Sequence, residues 1–413
     1  MKCHQEFVFL KKVTNCACAT DPACVGQGMK IYKVDWGQEL VPPFCPNKYC
    51  IHHLKAQYPL WWTRAGYHCT DTFGKVPRFK CRTCGSGFST QTFRINYWAK
   101  KLIPYPEFHE LLCSSVGVRA LARHFLCSTG AIQNRTDRLG RQMIALQTHL
   151  HQYFHNHEDV CVDGFQSFDV SQFFPNNITI SITRDTRFIH EATHATLRRS
   201  GRMTPVQKER RDKLEPLFPF EKGAIKRSFT DILDHLVLQR PPVARHPLVI
   251  ITDEKLEYVQ ALKEHSLFID QDQEHLSFHQ RISSKAERTY HNPLFASNYI
   301  DRELRKDQAA HRRETTCHCR SVSKGMMRLW CYIGWHNYHK QFRINNPASD
   351  LSTHAEHAGI PKLPLEKFRE VAYRCRAFLS RFDLTLCDTE AWLKQMPTPL
   401  KTGPEYLPKF AWG

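Results

Sequence analysis

The sequence predicts a multidomain protein in which a small cysteine-rich β unit and a helical segment precede a mixed α/β domain. Nine of the 17 cysteines lie before residue 85, and residues 107–150 have the apolar spacing of helices. Residues 159–320 then alternate buried β runs with helical stretches, which is typical of α/β architecture. A chain of 413 residues is long enough for several units with their own cores.

The composition is that of a basic globular protein. Hydrophobic residues make up 41% of the chain, and the formal net charge is +18. Such a balance favours a polyanionic partner, nucleic acid first, over the alternative of an inert basic surface. No segment resembles a signal peptide or reaches the ~18 apolar residues of a membrane helix, so we expect a cytoplasmic protein without a membrane partner. Clustered cysteines are then better explained as metal ligands than as disulfides.

Two cysteine pairs have the spacing of a zinc ribbon. They lie in the segments CPNKYC and CRTCGSGF, and the four ligands are Cys45, Cys50, Cys81 and Cys84. Tight turns that present two pairs of thiolates suit tetrahedral Zn²⁺. We therefore expect a ribbon with structural Zn²⁺ at about 43–95, within a cysteine-rich region 1–100. So small a unit has little core, and the metal would supply most of its folding energy.

Two questions about the cysteine-rich region stay open. Nearby side chains could replace one of the four ligands: His52, His53, His68 and Cys69. Further upstream, four cysteines could bind a second zinc or be free thiols: Cys3, Cys16, Cys18 and Cys24.

Residues 101–150 fit a helix-turn-helix DNA-binding domain. Between 110 and 142, an amphipathic segment is followed by the turn LCSTG, in which Ser128 or Thr129 can cap a second helix. That second helix carries side chains able to reach bases or phosphates: Gln133, Asn134, Arg135 and Arg138. An ordinary helical hairpin is the alternative.

The α/β segment places two acids at strand ends. The run DVCVDGF reaches Asp163, the run PLVIITDEK reaches Asp253, and a later helix over 296–315 carries Asp301 and Glu303. Two strands, NITISIT and RFIHEATHATL, follow the first run. A polar insertion about 199–222 and a helix 225–240 precede the second run; a helix 255–265 and a strand 275–283 follow it.

Three strands, a helix, a strand ending in Asp and a late acidic helix are the order of a ribonuclease-H-like domain. In that fold the first and fourth strands are neighbours, so Asp163 and Asp253 would meet. The segments VDGFQSF, IITDEK, NYIDRELR and WCYIGWHNYHKQFRIN resemble those of the DDE-type transposases of bacterial insertion sequences. The likeness covers most of residues 40–345, with a catalytic domain at 155–345 and a basic C-terminal extension at 346–413.

Three clustered carboxylates need cations, and hard oxygen ligands select Mg²⁺ or Mn²⁺. The ligands implied are Asp163, Asp253 and a third acid. The family usually has Glu in the third position, often followed by Arg, whereas here Asp301 precedes Arg302. Glu303 is the rival, and because the two side chains point about 200° apart on a helix, only one can face the metals.

The resemblance implies an enzyme that binds terminal inverted repeats and performs metal-dependent strand cleavage and strand transfer into target DNA. Its partners would be double-stranded DNA and further copies of the chain, as a homodimer or higher oligomer. A non-catalytic zinc-ribbon and helix-turn-helix protein, either a regulator or a decayed transposase, is the alternative.

The residues HEATH at 190–194 also match the H-E-x-x-H pattern of zinc peptidases. That chemistry requires a helix, on which both histidines share a face. The β-branched flanks instead predict a strand, with His190 and His194 on one side and Glu191 on the other.

Overall fold

The computed structural model describes residues 41–57, 60–239, 246–271, 275–312, 317–345 and 351–412. The upstream cysteines, Cys3, Cys16, Cys18 and Cys24, lie outside them. Contacts divide the described chain into two compact units. Unit 1 contains the described residues of 41–104, 373–382 and 408–412, and unit 2 contains those of 105–372 and 383–407.

Unit 1 is an antiparallel three-stranded sheet of order β1-β2-β3. Its elements are α1 (Ile51–Leu54), β1 (Trp62–Thr70), β2 (Gly74–Cys81) and β3 (Gly87–Ser89), with 3₁₀ turns at Thr90–Phe93, Leu379–Arg381 and Lys409–Ala411. Phe79 of β2 lies opposite Phe88 of β3. These rings belong to an aromatic core with Phe44, Trp61, Phe93 and Phe378. Val76 of β2 belongs to a second, smaller cluster with Phe73 and Ala99.

Unit 2 combines twelve helices with five strands in the described chain. The strands are β4 (Val160–Phe168), β5 (Pro175–Thr183), β6 (Ile189–Thr196), β7 (Leu248–Thr252) and β8 (Ser277–Arg281). The helices are α2 (Tyr105–Cys113), α3 (Val118–His124), α4 (Thr129–His151), α5 (Pro205–Leu214), α6 (Ala224–Leu238), α7 (Leu256–Glu264), α8 (Ser266–Ile269), α9 (Phe295–Asp307), α10 (Val322–Tyr338), α11 (His354–His357), α12 (Lys362–Val371) and α13 (Leu386–Trp392), with 3₁₀ turns at Glu215–Leu217 and Ala309–His311.

The five strands form one mixed sheet of order β6-β5-β4-β7-β8. β4, β5 and β6 are antiparallel, whereas β7 pairs parallel with both β4 and β8. The first and fourth strands of the unit are therefore neighbours. β4 does not end at Asp163, as the sequence suggested, but continues to Phe168 because β5 pairs along its whole length.

Helices α6 and α7 cover one face of this sheet, and α9 packs beside β4 and β5. Val160 and Val162 of β4 join Ile250 of β7 in a hydrophobic core with α6 and α7. Because side chains alternate along a strand, Cys161 and Asp163 point to the opposite face. The Cys161 thiol there donates to the Pro293 carbonyl, at 3.2 Å, just ahead of α9.

The second helix of the predicted helix-turn-helix is the long helix α4, which packs closely on α10. Its N-cap is Ser128, whose hydroxyl accepts a hydrogen bond from the Ala131 amide at 3.1 Å. Gly140 lies so near α10 that a Cβ there would come within 2.6 Å of the Met327 carbonyl oxygen. Helices α2, α3 and α4 thus belong to unit 2 together with the sheet.

Other predicted bounds shift where packing ends an element. The acidic helix ends at Asp307 rather than 315, and the predicted C-terminal extension contains α12 at Lys362–Val371. The polar insertion contains α5, in which no residue is buried. Within the part of the chain that the structure describes, no helix combines the length and the apolar character needed to cross a membrane.

Candidate metal centre and candidate active site

The four predicted cysteine ligands converge in unit 1. The sulfurs of Cys45, Cys50, Cys81 and Cys84 all lie within 4.8 Å of one another. Cys45 Sγ is 3.6 Å from Cys84 Sγ, and Cys50 Sγ is 3.8 Å from Cys81 Sγ. Four sulfurs placed tetrahedrally at ~2.3 Å from zinc would be ~3.8 Å apart. The group could therefore hold a structural metal ion such as zinc.

Local turns hold these thiols, and the neighbouring histidines have other partners. The Gly85 amide donates to the Cys81 carbonyl at 3.0 Å, and Gly85 has φ +71°, a left-handed conformation that favours glycine. His52 hydrogen-bonds the Thr83 hydroxyl at 2.9 Å, and His53 hydrogen-bonds the Cys45 carbonyl at 2.7 Å. Neither histidine joins the four-cysteine group.

The pKa values of the thiols differ across the group. Burial raises the pKa of Cys45 and of Cys50 above the usual thiol range. Burial also acts on Cys84, but hydrogen bonds, first among them one from Ser86, bring the pKa of Cys84 down to about 6. Since zinc binds thiolates, metal binding must release protons from the buried thiols and will weaken at low pH.

In unit 2, strand register brings Asp163 beside Asp253. Val160 pairs with Ile250 and Cys161 with Ile251 in the parallel β4–β7 ladder. Continuing that register by two residues sets Asp163 level with Asp253, which directly follows β7. Adjacent strands lie ~4.8 Å apart, so the two carboxylates are neighbours at the level where β7 ends.

A lysine lies between these two acids. Lys255 Nζ is 3.1 Å from Asp163 Oδ1 and 3.1 Å from Asp253 Oδ2. It also donates to the Tyr258 hydroxyl at 3.3 Å. Burial by itself would lower the pKa of Lys255, but Tyr258 and the two carboxylates outweigh it and raise that pKa. Lys255 is therefore a charged ammonium group in this structure.

Helix α9 brings the third acid, Asp301, toward the pair. Burial and the negative charge of Asp163 raise the pKa of Asp301 to about 7, against the opposing charges of Arg305, Arg288 and Lys255. Helix α9, which carries Asp301, also contacts β4, the strand that carries Asp163. Among the described residues, the group of side chains that converges as a metal site is the four cysteines, and the three acids do not form a second such group.

The rival acid, Glu303, forms ion pairs with two lysines. It is buried and pairs with Lys306 Nζ at 2.8 Å and with Lys340. Burial would raise its pKa, but these two ammonium groups lower it, so Glu303 is a paired carboxylate. Asp163 therefore acts on the pKa of Asp301, whereas the groups acting on Glu303 are Lys306 and Lys340.

The donor set fits a hard divalent cation. Three carboxylates offer oxygen ligands of the kind that Mg²⁺ and Mn²⁺ prefer. The raised pKa of Asp301 and the ammonium between Asp163 and Asp253 both indicate negative charge that a cation would stabilise. Asp163, Asp253 and Asp301 are the residues that would hold such an ion.

The four predicted DNA-contacting side chains lie on the first three turns of α4, where Gln133 and Asn134 are half-buried. Arg135 and Arg138 are buried, and both donate to the Asn134 amide oxygen, at 3.0 and 2.9 Å. Gln133 accepts a hydrogen bond from Lys324 of α10 at 3.0 Å. The sequence pattern did not predict the burial of the two arginines, because arginine is mostly exposed in folded proteins.

Two arginines of the preceding helix are exposed instead. Arg119 and Arg123 lie four residues apart on α3, on the same helix surface and in solvent. Their signal in the sequence is the spacing in VRALARH, whose apolar residues Leu121 and Ala122 are buried between them. These arginines can contact a polyanion without any rearrangement of the helices.

The HEATH residues lie on β6, a strand, as their flanks predicted. His194 is buried and hydrogen-bonds Asp169 at 3.0 Å, so it is engaged in the core. The expected alternation is wrong at one point: a bulge pairs Ser181 with Glu191 but Ile182 with Ile189. His190 is therefore an extra residue in the ladder. A strand with this bulge does not present the peptidase geometry.

The chain matches no protein-family model, and no curated protein matches it either.

Proposed function

We propose that this protein is a DNA transposase in which the α/β domain is ribonuclease-H-like. The observation that carries the proposal is the β4–β7 register, which sets Asp163 beside Asp253 while α9 directs Asp301 toward them. The neighbouring first and fourth strands support it as well, because that placement is expected of the fold. The motif resemblance and the net charge of +18 agree with DNA as substrate.

The reaction proposed is phosphodiester cleavage followed by strand transfer. Water attacks a phosphorus atom at the element's end, and the 3′ oxygen leaves. The freed 3′-hydroxyl then attacks a phosphorus atom of the target strand, and the target's own 3′ oxygen leaves as a hydroxyl. Mg²⁺ or Mn²⁺, when bound, would supply an activated nucleophile and stabilise the leaving oxygen. Asp163, Asp253 and Asp301 hold the charge that retains the cations. None of them forms a covalent bond to DNA.

Other residues would bind and orient the DNA. Arg305 and Arg288 bring positive charge to the Asp301 side of the site, where a phosphate backbone must pass. Arg119 and Arg123 extend the basic surface on α3. The four-cysteine ribbon would contribute to recognition of the element's ends, and pairing of two ends would require a dimer or higher oligomer.

The test uses a supercoiled plasmid that carries the gene with its native flanking DNA. Nicked and joined products should form with Mg²⁺ or Mn²⁺ and disappear with EDTA. Asp163→Asn protein, purified in the same way, controls for a contaminating nuclease. Absence of products from folded, DNA-binding protein in either metal would overturn the proposal.

One observation favours a second candidate, a non-catalytic DNA-binding protein. Lys255 already neutralises Asp163 and Asp253, as in an ordinary ion-pair network. A regulator or decayed transposase would bind the same plasmid with comparable affinity but leave it supercoiled in every metal. The plasmid experiment therefore separates the two candidates.

A further inference from the structure

Lys255 lies between Asp163 of β4 and Asp253, which follows β7. Its ammonium is equally close, 3.1 Å, to Asp163 and to Asp253. The backbone amide of Lys255 also donates to Asp253 Oδ1 at 3.1 Å, so Lys255 contacts Asp253 through both its backbone and its side chain. With 24% of its side chain exposed, the ammonium is largely withdrawn from water.

The two acids could not share this position without a cation. Carboxylates on neighbouring strands repel each other, and the repulsion grows where solvent is excluded. Either a divalent ion or an ammonium group could supply the positive charge that stabilises the two carboxylates. They cannot both lie between the two carboxylates, because each requires the oxygens that the other uses.

We propose that Lys255 is a built-in counter-cation that keeps the acid pair assembled before metal binds and competes with the metal for it. The inference rests on the proposed function only for the assignment of Asp163 and Asp253 as ligands. Metal loading would then require the ammonium to leave the acid pair. The free protein should accordingly bind divalent ions more weakly than its carboxylates alone would allow.

The first test is Mn²⁺ binding by calorimetry on zinc-loaded protein without DNA. Lys255→Met keeps an unbranched side chain, one atom shorter, and removes its charge, so the variant should bind Mn²⁺ at least about tenfold more tightly than wild type. Unchanged or weaker binding would overturn the proposal. The readout is metal affinity rather than DNA cleavage. A negative result here would therefore leave the proposed function intact, and a failure of DNA cleavage would leave the role of Lys255 intact.

The matched control is Lys340→Met. Lys340 is also a buried lysine that contacts a tyrosine and an acid, since it pairs with Glu303 and donates to the Tyr299 hydroxyl at 3.2 Å. Its loss should leave Mn²⁺ affinity at the wild-type value. An equal gain in both variants would mean that general loss of positive charge, not displacement of Lys255, explains the effect, and would overturn the proposal.

A second measurement uses the wild-type protein and does not depend on a variant that folds. Lys255 should react slowly with a small amine-acylating reagent while it is held between the acids, and faster once Mn²⁺ releases it. Mass spectrometry of the modified peptide gives the rate, with Lys340 as an internal reference. A Lys255 rate that Mn²⁺ leaves unchanged or lowers would contradict displacement.

Discussion

Gly164 shows how tightly the chain is packed directly after the first acid. A Cβ at this position would lie 2.0 Å from the Asn177 side-chain oxygen on β5. Asn177 is fully buried, and its amide nitrogen donates to the Thr179 hydroxyl at 2.9 Å, so it has little room to move. Gly164 therefore lets β5 lie against β4 at the level of Asp163.

Gly164→Ala should destabilise unit 2 and impair metal-dependent DNA cleavage. Overpacking of this kind costs about 1–3 kcal/mol, and relief of the clash would shift Asp163 away from Asp253. The measurement is the free energy of unfolding in denaturant, with plasmid cleavage beside it. Gly130→Ala is the control, since its Cβ would meet only Ser128 Oγ at 3.8 Å. Equal stability of the two variants would show that the Asn177 side chain on β5 can move to accommodate a Cβ at Gly164.

Single residues were predictable where the strand pattern positions them. Asp163 and Asp253 are found from the buried runs that precede them, and strand register then explains why they meet. Lys255 was not found, although it stands two residues after Asp253, because a lysine beside an acid in sequence is usually a solvated charge. Its ion pair with Asp163 spans 92 residues and exists only in the folded sheet.

At the scale of elements, we expect the stability of the ribbon to depend on a metal ion held by the four cysteines more than on its small core. Chelation of zinc, or Cys81→Ser, should unfold the ribbon of unit 1 while the sheet of unit 2 stays folded. Limited proteolysis should then cut within residues 41–104 and spare 159–239, and metal content should fall in parallel. Cys69→Ser, at an exposed cysteine on β1, is the control and should keep both metal and protection. A metal-free protein with a protected ribbon would contradict this role of zinc.

The two helices of the predicted DNA-binding segment should respond differently to arginine removal. Replacing exposed Arg119 and Arg123 together by Ala should weaken DNA binding and reduce the salt dependence, the slope of log K against log salt, by about 2. Arg138→Ala should instead lower the melting temperature, because Arg138 is buried in α4. Fluorescence anisotropy at several salt concentrations, with thermal unfolding, separates the effects. The opposite assignment would restore α4 as the DNA-contacting helix.

Elements were predictable where a periodic apolar pattern runs uninterrupted. β7, α6 and α7 fall close to their predicted bounds because buried residues recur at strand or helix spacing. The burial of α4 could not be foreseen, since it follows from Gly140 and Gly334 allowing close approach to α10. Such contacts join residues nearly two hundred positions apart, and no local pattern records them.

At the scale of the molecule, unit 2 carries many histidines that must stay neutral. Burial lowers the pKa of His190, His339 and His354 to about 3, and the pKa of His109, His235 and His311 to about 4. In an unfolded chain each has a pKa of ~6.5. Below that pH the histidines of the unfolded chain bind protons, whereas the buried histidines of the folded protein stay neutral. The free energy of unfolding therefore decreases as pH falls.

Unit 2 should therefore unfold cooperatively in mild acid. Its free energy of unfolding should be constant above about pH 7 and fall below about pH 6.5, by up to ~1.4 kcal/mol per pH unit for each histidine involved. Denaturant titrations from pH 8 to 4, followed by circular dichroism, measure this. His235→Gln should reduce the slope, whereas a variant of exposed His124 should not. A flat profile between pH 6.5 and 4 would contradict burial of neutral histidines.

The proposed transposase mechanism depends on which acids retain the catalytic cations. Asp163→Asn, Asp253→Asn and Asp301→Asn should each lower cleavage and joining of plasmid DNA on the order of 10³-fold or more, with DNA binding nearly intact. Glu303→Gln, which removes charge from a carboxylate paired with Lys306 and Lys340, should keep activity within severalfold of wild type. The decisive measurement is the cleavage rate of these four variants with Mg²⁺. An inactive Glu303→Gln beside an active Asp301→Asn would reverse the assignment on α9, and wild-type rates in all four would contradict the transposase mechanism itself.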